Sequence, residues 1–154
     1  MRLIFVIIAL LSMLPSAIAQ EREWILNASD KEAFLVFGVA DTDDVGLSLW
    51  CEIGTSKLSV FVNNIAGKLK QSQSTNMIID IDGKKFSIKA KASVDKLGNS
   101  KSIEGQIPSN DPLLKAAENG TSLKTTIQGH TNTYPLIDAD IKGLLRTCAG
   151  DVVN

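Results

Sequence analysis

Apolar residues recurring at every second position constrain this chain more than anything else in it. Val45, Leu47, Leu49 and Cys51 alternate with Gly46, Ser48 and Trp50. Leu58, Val60 and Val62 alternate again, and so do Phe86, Ile88, Ala90 and Ala92. A period of two sends successive side chains to opposite faces of an extended strand, so these runs call for a sheet with one buried face. Turn residues punctuate them, Gly54-Thr55 after the first run and Asp82-Gly83 before the third. Asp-Gly is the strongest short hairpin signal in the chain, because both turn positions need positive φ. Further strands are expected at Trp24-Ile25-Leu26 and at residues 34–37, 77–81, 103–107, 123–127 and 133–137, with Pro135 marking the last as an edge strand.

The period changes after Pro108. Asp111 is a good N-cap, Pro112 fits the first helical position, and Leu113, Leu114, Ala116 and Ala117 form a helical stripe that Gly120 ends. A last short helix is expected from a cap at Asp138 or Asp140, through Ile141, Leu144 and Leu145, to Cys148. Strands roughly ten residues apart, with two short helices in the C-terminal third, predict a mainly β fold: an antiparallel sandwich or small barrel. With one βαβ-like alternation in the whole chain, a parallel sheet is not expected.

The first nineteen residues follow a different rule. Arg2 precedes an almost unbroken apolar run from Leu3 to Leu14, Pro15 and Ser16 break it, and Ala17-Ile18-Ala19 offers small residues where a signal peptidase reads. The expectation is a signal peptide, residues 1–19, cut between Ala19 and Gln20, followed by one β-rich domain over 20–154. The run is shorter than the roughly 20 residues a permanent span requires, and no second one follows. No membrane anchor is therefore expected after cleavage, and the product should be periplasmic or secreted. In such an oxidising compartment Cys51 and Cys148, with no metal-like spacing, most simply form one disulfide. The rival reading, free thiols or a redox pair, lacks a C-x-x-C motif.

Charge and motifs exclude more functions than they suggest. The net charge is −1, without the basic stripe that nucleic-acid binding demands. Lys84, Lys85, Lys89 and Lys91 come closest and read as the wet face of a strand. A lone histidine, His130, supplies neither a hydrolytic triad nor a zinc site. Glycine-framed nucleophile, phosphate-loop and dinucleotide motifs are all missing, so no catalytic residue and no cofactor is expected. Asp41, Asp43, Gly46 and Glu52 fall at positions 1, 3, 6 and 12 of a calcium-loop template. Val45 stands where a polar ligand belongs, and strands replace the flanking helices, so the segment reads as an acidic turn and no metal is expected. Trp24 and Trp50 are candidate partner-surface residues, since amphipathic rings anchor interfaces. Trp50 is out of phase with its apolar neighbours, which places it on a second buried face or on an exposed patch. Asn27-Ala28-Ser29 and Asn119-Gly120-Thr121 are glycosylation sequons, meaningful where the host glycosylates exported proteins.

Trp50-Cys51-Glu52-Ile53-Gly54, Asp111-Pro112-Leu113-Leu114 and the segment from Leu144 to Cys148 together resemble small exported proteins of alphaproteobacterial type. The part over 108–148 is similar to the invasion-associated locus B family. That resemblance implies a periplasmic or surface β-domain with no enzymatic residues to carry over, acting by protein or envelope binding and associated with host interaction. Cys51, Gly54, Val60 and Phe61 also resemble the opening strand of periplasmic C-type lysozyme inhibitors. The loop such inhibitors insert has its nearest counterpart in Leu97-Gly98-Asn99-Ser100, without the tyrosine that follows it there. The leading expectation is a non-enzymatic exported binding domain; a lysozyme or hydrolase inhibitor, and a small metal-binding or enzymatic domain using Asp41, Asp43, Glu52 or His130, are its rivals.

Overall fold

The computed structural model describes residues 21–63, 65, 68–94 and 101–151. The apolar leader, the Leu97-Gly98-Asn99-Ser100 segment and the tail beyond Asp151 lie outside the described residues. Among the described residues there are nine strands: β1 (Glu23–Ala28), β2 (Glu32–Gly38), β3 (Val45–Glu52), β4 (Lys57–Val62), β5 (Ser74–Ile81), β6 (Lys84–Val94), β7 (Lys101–Pro108), β8 (Ser122–Ile127) and β9 (His130–Pro135). Two helices join them, α1 (Pro112–Glu118) and α2 (Ile141–Cys148). The strands form one sheet in the order β1-β2-β3-β4-β7-β6-β5-β8-β9, antiparallel at every junction. The expected mainly β, antiparallel architecture takes the form of a single curled sheet, a half-barrel.

The alternation in sequence becomes the two faces of this sheet. Ala33, Leu35 and Phe37 lie opposite Cys51, Leu49 and Leu47, which continue into Val60 and Val62, then Ile103. All are buried, and with Met77, Ile79, Ile81, Leu123 and Ile127 they make one core. Removing a large apolar side chain from water contributes about 1.5–3 kcal/mol, so a one-residue slip in register, which would turn these side chains outward, is strongly disfavoured.

Both helices pack on the buried face. Asp111 caps α1 by accepting from Leu113 N at 2.9 Å, with Pro112 at the first position. Asp140, not Asp138, caps α2, accepting from Gly143 N at 2.7 Å. Leu113, Leu114 and Ala117 of α1, and Ile141, Leu144 and Cys148 of α2, face inward. The Cys51–Cys148 disulfide is formed, with Cα atoms 5.9 Å apart, and fastens α2 to β3.

Three aromatic rings draw the two ends of the sheet together. Trp24 of edge strand β1 lies 5.3 Å from Phe37, and Tyr134 of the opposite edge strand β9 meets Phe37 edge-on at 5.7 Å. The Trp24 indole N–H donates to the Pro135 carbonyl. Beside them Arg22 forms a two-pronged ion pair with Asp44, and this hydrogen bond raises the guanidinium pKa.

Two turns differ in how plainly they announced themselves. Asp82 (φ 49°) and Gly83 (φ 92°) make the expected two-residue hairpin between β5 and β6. Gln128 (φ 49°) and Gly129 (φ 82°) make a second one, so β9 begins at His130 and ends at Pro135, three residues ahead of the expected start. The register explains it: His130 pairs with Ile127 directly across the turn.

Asp82 also ties its hairpin to the start of β8. Its carboxylate accepts from Thr121 N at 2.7 Å, Thr121 Oγ1 at 2.9 Å and Ser122 N at 3.0 Å. The Thr121 backbone hydrogen bond leads in holding this carboxyl below its usual range. A depressed carboxylate stabilises the fold above its ordinary pKa of about 3.9 and loses that contribution as pH falls through the folded value. Denaturant titrations should therefore show stability declining below about pH 4. Asp82→Asn should flatten that decline; an unchanged pH profile would mean these bonds form equally in the unfolded chain.

Candidate functional site

The two candidate tryptophans end up on opposite faces. Trp24 points toward the core side and is occupied with Phe37 and Pro135. Trp50 is half-buried on the outer face, stacked on Phe34 with centroids 6.0 Å apart and planes 20° from parallel. Outer-face positions carry polar or half-exposed side chains on every strand from β2 to β8, and neither helix covers them.

Register places these side chains in cross-strand rows. One row runs Val36, Ser48, Phe61, Glu104, Lys91, Ser74 across six consecutive strands of the sheet. With strands about 4.8 Å apart it spans roughly 24 Å. Beside it runs a second row, Phe34, Trp50, Ser59, Gln106. Trp50 and Phe61 are diagonal neighbours in these rows, close enough for large rings to share one surface. Phe34, Trp50 and Phe61 thus make an aromatic shelf at one end.

Next to the shelf the surface sinks into an open hollow of about 890 Å³, whose walls include Phe61, Ser74, Asn76, Lys91, Glu104 and Gln106. Ser59, only 4% exposed, donates to Glu104 Oε1 at 2.8 Å and holds that carboxylate at the boundary between shelf and hollow. A second hollow of about 460 Å³ lies further along the same face, between Asp80, Lys85, Lys124 and Thr126. Lys85, Lys89 and Lys91 are exposed on the outer side of β6, as a wet strand face requires. Lys84 has the other parity and lies over the Phe86 ring, its Nζ 5.2 Å from the centroid.

The other candidates stay apart. His130 is exposed at the start of edge strand β9. Asp41 and Asp43 are exposed in the β2–β3 turn, Asp44 is committed to Arg22, and Glu52 sits at the far end of β3. Among the described residues no three His, Cys, Asp or Glu side chains are grouped so as to hold a metal ion. No described helix is long and apolar enough to cross a membrane. The Leu97–Ser100 segment compared with an inhibitory loop lies outside the described residues.

Inside the sheet, one polar group stands out. Thr125 is 1% exposed, and its hydroxyl lies beside that of Tyr134 without a well-formed hydrogen bond among the described residues. A buried, unsatisfied hydroxyl costs about 1–3 kcal/mol, whereas an apolar group of the same shape costs little there. Thr125→Val should therefore raise stability by about 1 kcal/mol in denaturant titrations. A loss of similar size would show that the hydroxyl is satisfied.

The chain matches no protein-family model, no curated protein and no solved structure.

Proposed function

We propose that the protein is an exported, disulfide-braced binding domain that carries out no covalent chemistry and engages a protein or another envelope component through the outer face of its sheet. The observation that carries this reading is the shelf of Phe34, Trp50 and Phe61, half-exposed beside a polar hollow on the face both helices leave open. Rings that could have been buried with the core instead remain at the surface, where aromatic side chains contribute most to recognition. The Cys51–Cys148 bond and the signal-like leader support export to an oxidising compartment.

In intact cells, a photoreactive residue in place of Ser48, on the shelf, should cross-link to a discrete partner. The same residue in place of Lys142, exposed on α2, should not. Equal labelling from both positions, or none from Ser48, would contradict the reading.

A further inference from the structure

The outer face is unevenly charged and unevenly apolar, and together these asymmetries specify a ligand. Its β2–β4 side carries the rings Phe34, Trp50 and Phe61; its β6–β8 side carries the exposed cations Lys85, Lys89, Lys91 and Lys124, against Asp80 and Glu104. Between them lie side chains able both to donate and to accept, Gln106 and Asn76 among them. From this juxtaposition of a flat aromatic shelf with a polar, net cationic hollow, we infer that the face binds an acidic oligosaccharide. The inference rests on the outer face being the docking surface.

The chemistry fits piece by piece. A hexose ring has an apolar C–H face and a rim of hydroxyls. The C–H face of one ring lies on Trp50 and Phe61, and the rim meets Gln106, Glu104 and Asn76. Carboxylates on the following rings reach Lys91 and Lys89. The hollow is open along the row and not closed around a small cavity, which suits successive units of a chain. An extended peptide is less well served. β4, β7 and β5 are interior strands whose backbone groups are engaged by neighbours on both sides, so a peptide cannot add itself as a strand there.

The test titrates the purified protein with a short oligogalacturonate while its amide and indole NMR signals are followed. Shifts should concentrate on Trp50, Phe61, Lys89, Lys91 and Gln106. A neutral cello-oligosaccharide and a polyglutamate peptide should each bind about tenfold more weakly or not at all, since each lacks one of the two features. Trp50→Ala should weaken oligogalacturonate binding about tenfold. Lys91→Gln, an exposed change that leaves the core intact, should weaken it several-fold and reduce its salt dependence. No binding, shifts away from this face, equal affinity for the neutral sugar or the peptide, or a Lys91→Gln protein that binds unchanged would each overturn the inference. If oligogalacturonate fails while Ser48 still cross-links in cells, the sugar is wrong and the docking face stands. If neither responds, both fall.

Discussion

Replacing Cys51 and Cys148 together by alanine, or reducing the bond, is expected to lower stability by ~4–5 kcal/mol in the chain-entropy account. The two residues are 97 apart in sequence, so the bond removes a long loop's freedom from the unfolded chain. That loss rivals the entire stability of many domains, which runs from about 5 to 15 kcal/mol. In a thermal melt it corresponds to a drop of roughly 15 °C. The effect should be concentrated at α2. Eight residues are too few for a helix to hold itself together in water; what holds this one is the burial of Ile141 and Leu144 and the covalent link to β3. Hydrogen exchange in the alanine variant should show α2 amides exchanging first. A melting point within a few degrees of the parent would show that the bond braces little.

Tyr134→Ala is expected to cost about 3–5 kcal/mol, the range for removing a large buried aromatic side chain. Tyr134 is 3% exposed and bridges edge strand β9 to Phe37 of β2 and to the Gly46 carbonyl of β3. Without the ring, β9 loses its tie to the opposite end of the sheet and the curl loses its closure. Tyr134→Phe should cost less than about 1 kcal/mol, because the hydroxyl's bond to Gly46 is long, at 3.4 Å. The pair of variants separates packing from hydrogen bonding. Similar losses in both would place the stabilisation in the hydroxyl; a small loss in the alanine variant would mean the sheet stays curled without this ring.

Features set by residues close in sequence were legible before the fold was known. Asp82-Gly83 announced its turn because few residues accept positive φ, and Asp111-Pro112 announced a helix start because cap and first position each have their own chemistry. The cysteine pair followed from counting. The turn at Gly129 was legible too, but glutamine is an unusual choice for a left-handed turn position, so its two-residue length was hidden and the strand beyond it was placed too late. What escaped altogether was long-range. The sheet order inserts β7, β6 and β5 between β4 and β8, a choice made by burial across the whole core. Tyr134 reaches Phe37, the hairpin partner of Trp24, from a segment far along the chain. The alternation did put Trp50 on the face opposite Leu47 and Leu49, but only the sheet order shows that this face stays open. The row joining Phe61, Glu104 and Lys91 likewise exists only through register between strands far apart in the chain.

The intact mass of the protein recovered under non-reducing conditions from the cells that make it bears most directly on the reading as a whole. A chain that begins at Gln20 and weighs two hydrogens less than its reduced form is the predicted result. A chain that still carries Met1, with both thiols free, would contradict export and the cross-link together.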